Sequence, residues 1–385
     1  MSGLVAVPSS SAGEHERLAR VALGRLGEPG DPRITRQVQQ LGAARLYRRL
    51  CDDDPRLDLA ADSAARRDGL DPSAELERAA GHGIRFVIPG DPEWPDGLDD
   101  LDRVQDLHRR GGTPLGLWVR GPLRLDELCR RSVAMVGSRS ATTYGASIAG
   151  QVAAELAGAG VTVVSGAAYG IDQAAHRGAL SGGGPTVAVL ACGADRAYPS
   201  AHRQLLDYIA ETGLVVSEAP PGSAPTKLRF LSRNRLIAAL TVGTVVVEAA
   251  VRSGALNTSS WAGLLNRTVM GVPGPVTSAP SEGVHELIRS GAATLVTRGA
   301  DVLELVSPIG SHPSTVVRGP ERPADRLPDL DRQVLDSVPV VTAVPAASVA
   351  RTAGLAEPTV HAALERLRAA GMVEKGRSGW RLASR

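Results

Sequence analysis

The sequence predicts an α/β protein built on a parallel sheet covered by helices on both faces, with a helical N-terminal domain and a C-terminal winged helix. Three observations predict it. Seven short apolar runs alternate with helical segments over residues 132–307. Apolar residues at helical spacing dominate residues 14–80, and three amphipathic segments followed by a hairpin pattern occupy residues 327–385. At 385 residues the chain exceeds the usual size of a single core, so two or three domains are expected.

The first domain, residues 14–80, carries Leu18, Val21, Ala22 and Leu26 and then Val38, Leu41, Leu46 and Leu50 on helical faces. Gly27-Glu28-Pro29-Gly30 breaks its first helix pair. The residues that follow are similar to a SAM or helix-hairpin-helix domain, without the Gly-x-Gly that would offer amides to phosphate. Residues 81–131 hold two apolar runs, 84–88 and 115–119, around a proline- and acid-rich stretch, and are expected as a lead-in that packs on the core. Over 132–307 the runs 133–136, 161–164, 187–190, 214–216, 245–247, 269–272 and 294–296 are apolar throughout instead of alternating. That pattern belongs to strands buried on both faces, as in a Rossmann-like sheet. Residues 308–326 are rich in Pro, Ser and Gly and read as a linker. Beyond it come helices around Leu330–Val334–Leu335, 346–353 and 358–370, then a hairpin through Met372 and Trp380, the pattern of a winged helix.

Composition limits the function classes. A net charge of +2 gives no general affinity for polyanions, so a nucleic-acid surface has to be a local cluster of cations. Cys51, Cys129 and Cys192 lack metal-ligand spacing, and a reduced, cytoplasmic protein with no bound metal is expected. Residues 1–13 lack the features of a leader, and no run is long enough to span a membrane. Of 43 basic residues only Lys227 and Lys375 are lysine, which draws attention to Lys227 in a loop.

The loop after the first core strand, Gly137-Ser138-Arg139-Ser140-Ala141-Thr142, sits where doubly wound sheets bind phosphates. There a glycine permits close backbone approach and a helix N-terminus presents free amides. Arg139 can fork onto phosphate oxygens, Ser138 and Thr142 add hydroxyls, and no acidic residue follows in the chain before Glu155. The alternative is a plain glycine turn with a solvated arginine. Gly-x-Gly-x-x-Gly and a Walker motif are both absent, which argues against a dinucleotide or ATP and leaves no cofactor implied.

A second cation cluster lies between Glu218 and Glu248, an acid-free interval holding Lys227, Arg229, Arg233, Asn234 and Arg235 around the start of a helix expected at 232–239. Cations at a helix N-terminus are disfavoured by the macrodipole, so an anion is expected to offset them. With the usual doubly wound order, the first and fourth strands are neighbours and bring Arg139 and Lys227 to one crevice. Phe230 stands among these charges, a pairing that suits unstacked single-strand bases. Its alternative is burial beneath a solvated turn. Asp172 and His176 could form an acid/base pair, but helix capping by Asp172 and simple packing of His176 explain them better. The turn Arg252-Ser253-Gly254 opens another helix with free hydroxyls and is expected to extend the phosphate track.

Taken together, these residues resemble the DNA-processing protein A family (DprA/Smf). The resemblance rests on Gly137-Ser138-Arg139 with Thr142-Thr143-Tyr144-Gly145; Ser165-Gly166 with Gly170-Ile171-Asp172 and Ala175-His176; Tyr198-Pro199; Ser217-Glu218; Phe230 with Arg233-Asn234-Arg235; Glu248 with Ser253-Gly254; Pro273-Gly274; and Gly291-Ala292. It implies an extended Rossmann-like fold, single-stranded DNA binding in natural transformation and recombination, loading of RecA recombinase, a homodimer formed through the later part of the core, and no catalysis. It places the DNA pocket on Ser138, Arg139, Lys227, Phe230 and Arg233 to Arg235. Leu231 stands where the family is expected to carry proline, which leaves the path of the basic turn open. Two rival readings remain: a nucleotide-processing hydrolase of the lysine-decarboxylase-like type, suggested by Gly243-Thr244 and Glu248, and a transcription factor acting through the winged helix.

Overall fold

Strands buried on both faces read as near-continuous apolar runs, and the core runs follow that rule except at the sheet edge, where Thr294 and Leu295 are exposed. They form β3 (Ser132–Val136), β4 (Thr162–Ser165), β5 (Thr186–Leu190), β6 (Leu214–Ser217), β7 (Gly243–Val246), β8 (Thr268–Gly271) and β9 (Thr294–Leu295). All are parallel to their neighbours within this set. Side chains alternate between two cores: Ala134, Val136 and Val246 enter one, Val133, Met135 and Val245 the other. Helices α6 (Thr143–Gly158), α7 (Ile171–Ser181) and α12 (Gly299–Val306) cover the second face. The first is covered by α9 (Lys227–Ala239), α10 (Gly254–Leu264) and α11 (Ala279–Arg289), and α8 (Arg203–Thr212) packs near β5 and β6. The computed structural model describes residues 11–54, 56, 57, 66–312, 319 and 322–383.

One expectation is sharpened and another corrected. The apolar runs of the lead-in enter the core as strands that extend the sheet. β1 (Ile84–Val87) pairs with β2 (Leu117–Arg120), and β2 pairs with β6, both antiparallel. The sheet therefore has nine strands in the order β1-β2-β6-β5-β4-β3-β7-β8-β9. That order also overturns the expected adjacency of the first and fourth core strands: β3 lies between β4 and β7, and β6 lies on the far side of β5. The chain must return from β6 across the sheet to β7, and α9 makes that return.

Helices α1 (Ser11–Leu26), α2 (Pro32–Leu41), α3 (Ala43–Cys51) and α4 (Pro72–Gly81) bury Leu23, Leu26, Ile34, Leu46 and Leu50 among themselves. They share one compact unit with the sheet. Val21 and Ala79 join a core with Phe86 and Trp118 of β1 and β2. Residues 55 and 58–65 of the expected helical domain, residues 1–10, and residues 313–318, 320 and 321 of the expected linker lie outside the described residues. A short helix α5 (Leu125–Arg130) precedes β3. None of the described helices is long and apolar enough to cross a membrane.

The second compact unit comprises α13 (Asp329–Asp336), α14 (Ala346–Ala353), α15 (Glu357–Ala369) and the antiparallel pair β10 (Val373–Gly376) and β11 (Gly379–Leu382). Val334, Val349, Val360, Leu364, Leu367 and Trp380 form its core. Gly354 ends α14 in the left-handed region at φ 67°, a conformation glycine adopts without strain.

The return through α9 is fixed by one buried ion pair. Arg235 is fully buried and donates both terminal nitrogens to Glu218, just past β6, each at 2.7 Å. Its Nε donates to the Gly112 carbonyl at 3.2 Å. Replacing Arg235 by Met leaves Glu218 as an uncompensated buried carboxylate and is expected to cost about 3–5 kcal/mol in urea unfolding. The double variant Arg235→Met/Glu218→Leu should recover most of that loss; a single-variant loss below about 1 kcal/mol would contradict the assignment.

Candidate nucleic-acid interface

An open cleft of about 740 Å³ lies at the C-terminal ends of β3 and β7. The loop after β3 forms one wall, α9 the other, and the start of α10 closes one end. Such a cleft is where open parallel sheets place ligands.

The glycines of the first wall serve internal packing. A Cβ on Gly137 would stand 2.6 Å from Ile171 and 2.8 Å from the Glu248 carbonyl oxygen, so this glycine lets the loop approach the protein's own backbone. Thr142 is also corrected as a phosphate donor. Its amide and hydroxyl both donate to the Glu248 carboxylate, at 2.9 and 2.5 Å, and its oxygen accepts from the Gly145 amide at 3.1 Å. No acid follows nearby in sequence, yet Glu248 arrives from the end of β7 and occupies the α6 N-terminus, where a carboxylate is favoured. Gly145 is glycine because a Cβ there would meet that carboxylate at 2.3 Å. Glu248 is thus buried, with both carboxylate oxygens accepting from Thr142. Ser138 and exposed Arg139 remain at the cleft surface.

Helix α9 begins at Lys227 and not at Ser232, capped by Thr226, whose side chain accepts from the Arg229 amide. Leu231 lies inside this helix, so the basic segment is a regular helix along its length. Lys227, Phe230, Leu231, Asn234 and Ile237 fall on one stripe and line the cleft. Arg229, Ser232 and Arg235 lie on another and are fixed internally. Arg229 pairs with Glu28 at 2.8 Å, and Ser232 donates to the Pro29 carbonyl at 2.7 Å. The Gly27-Glu28-Pro29-Gly30 loop thus holds α9 in place. Asn234 donates to Asn257 at 3.2 Å and to the Gly254 carbonyl at 3.3 Å, joining α9 to α10. Lys227 is exposed, and among the described residues neither it nor Arg139 has a carboxylate partner.

Arg233 forms the floor. It is buried and donates to the Val189 carbonyl at 2.7 Å, and it fills the space that a Cβ on Gly166 would take. Burial draws its pKa down while the charge of Asp172 opposes that shift. Asp172 is itself pushed up by burial, against Arg233 and the amides of Gly166 and Ala168 that donate to it. Asp172 therefore bonds to the preceding loop and does not cap its own helix. The Arg139 guanidinium lies 4.7 Å from the Phe230 ring centroid and Arg233 lies 5.8 Å from it. Phe230 is half-buried.

Comparison with known proteins then bears on the assignment. A model of the DNA recombination-mediator protein A family matches residues 85–307. A putative DNA processing protein DprA from Mycobacterium tuberculosis is 42% identical over 362 residues, covering 94% of this chain and 92% of that protein. The DNA processing protein DprA of Streptococcus pneumoniae is 44% identical over 204 residues, covering 53% and 69%. The X-ray structure of DNA processing protein A from the same organism aligns with a TM-score of 0.62 at 32% identity, covering 76% of this chain and 98% of that one.

The chain belongs to the DNA recombination-mediator protein A family.

The DprA match begins at β1 and ends after α12, so the antiparallel extension of the sheet and the whole cleft lie within it. Within the matched region the structure brings together Ser138, Arg139, Lys227, Phe230, Arg233 and Asn234, and it places Arg235 and Thr142 in internal bonds instead. Sequence reasoning missed Glu248 and Tyr198 as parts of the site. No local signal links Glu248 to Thr142, whereas Tyr198 was visible only as part of a Tyr-Pro pair.

His176 supplies a pH test of the buried layer beneath the cleft. It is fully buried, its Nδ1 lies 2.8 Å from the Thr186 hydroxyl, and burial, with His202 and Arg233 adding to it, draws its pKa down to about 3. The folded protein keeps this ring neutral while the unfolded chain binds a proton below about pH 6.5. Stability is therefore lost as pH falls from about 6.5 toward 3. Relative to His176→Gln, the native chain should lose its stability advantage in urea titrations between pH 6.5 and 4.5; an advantage that stays constant would contradict this environment.

Proposed function

We propose that the cleft binds single-stranded DNA by its phosphate backbone, without sequence preference and without catalysis. The observation that carries this reading is the pair of exposed cations, Arg139 and Lys227, on opposite walls and without carboxylate partners among the described residues. Between them lies the aromatic surface of Phe230. Cations tracking a backbone beside an aromatic ring are the common solution for single strands. Lys227 also stands at the first turn of α9, where a bound phosphate relieves an unfavourable helix-end charge. The relatives named for DNA processing support the same reading.

The proposal extends to a role in DNA uptake and recombination in the cytoplasm: holding incoming single strands and handing them to RecA. A homodimer through the later part of the core is part of it. Val276 and Leu295, 86% and 49% exposed, leave apolar surface on that side of the sheet for a second copy to cover. The second unit is read as a winged helix, in which Arg366 is paired with Asp331 and Arg368 with Glu365.

Arg139→Ala and Lys227→Ala should each weaken binding of a labelled oligo-dT, and together reduce it at least tenfold, while urea midpoints stay unchanged. The plot of log affinity against log salt should become shallower by about 0.7 per phosphate contact removed. Binding that survives the double variant undiminished would overturn the site. Thr142→Val, in contrast, should lower stability and leave oligo-dT affinity within about twofold, because its hydroxyl serves Glu248.

A further inference from the structure

Phe230 is a contested stacking surface. Two guanidinium groups lie within cation–π range of its ring, at 4.7 and 5.8 Å. A base arriving there competes with Arg139 for the ring. The neighbouring aromatic is differently placed. Tyr198, on the loop after β5, lines the same cleft, is 44% exposed, and has its ring centroid 5.8 Å from that of Phe230. Tyr144, Tyr169 and Tyr208 are as exposed, at 41%, 47% and 51%, but Tyr198 is the tyrosine that lines the cleft, beside Phe230 and the cations Arg139 and Lys227, where its ring is within reach of a strand held there.

We propose that Tyr198 is a base-stacking platform of the cleft, taking the nucleobase adjacent to the one that meets Phe230. The two rings are inclined by 54°. Consecutive bases of a duplex are nearly parallel, so they cannot lie flat on both rings; a single strand can turn between them. The pair of rings thus selects unpaired strands by geometry, while Arg139 and Lys227 hold the backbone. This inference rests on the reading of the cleft as a single-strand site.

The test uses the full-length protein with two labelled strands of equal length, oligo-dT and the same backbone carrying abasic sites throughout. Tyr198→Ala should weaken oligo-dT binding about 5- to 100-fold, the range of one lost stacking contact, and leave abasic-strand binding unchanged. Tyr198→Phe should bind both as the native chain does. Tyr208→Ala, an exposed tyrosine on α8 away from the cleft, should change neither. Equal losses on both strands, or no loss on oligo-dT, would overturn the role of Tyr198. Native protein that binds neither strand would instead overturn the reading of the cleft itself.

Discussion

The Arg235–Glu218 pair is the constraint on which the cleft depends. Because β6 lies at one flank of the parallel set and β7 beside β3 at its centre, the connecting helix has to cross the sheet. The ion pair ties that helix to the strand it leaves, and Arg229–Glu28 ties the opposite stripe to the loop between α1 and α2. With these contacts made, one helix face is left toward the cleft. Lys227 and Phe230 occupy it, facing the loop that carries Arg139.

A second layer of charge lies beneath the surface one. Glu248 at the α6 N-terminus, Asp172 among loop amides, and Arg233 under Phe230 are all buried and hydrogen-bonded. Two of them come with a glycine at which a side chain would collide: Gly145 with Glu248, Gly166 with Arg233. The glycine-rich loops of this family member therefore accommodate internal charges as much as they could accommodate a ligand. A helix N-terminus that already holds a carboxylate is not available to a phosphate, which moves the anion site outward to Ser138, Arg139 and Lys227.

The sequence revealed the parallel strands because two-sided burial leaves an unbroken apolar run, a local signal. It did not reveal that the runs at 84–88 and 115–119 join the same sheet, because an antiparallel edge strand and a packed lead-in have the same short apolar pattern. The basic segment was half legible. Starting its helix at Ser232 instead of Lys227 hid the stripe that sorts the cations, with Lys227 on the cleft side and Arg229 and Arg235 opposite. Charge composition identified the segment; only the helical phase could say which cations face solvent. Glu248 was not legible as a cap at all, since its partner Thr142 lies four strands and several helices earlier in the chain.

Photo-crosslinking of a 4-thiothymidine oligomer to the full-length protein, with the adducts mapped by mass spectrometry, tests the central claim most directly. Crosslinks confined to peptides carrying residues 138–144, 198 and 227–237 are the result this account predicts. Crosslinks found instead on residues 329–382, with none on α9, would contradict it.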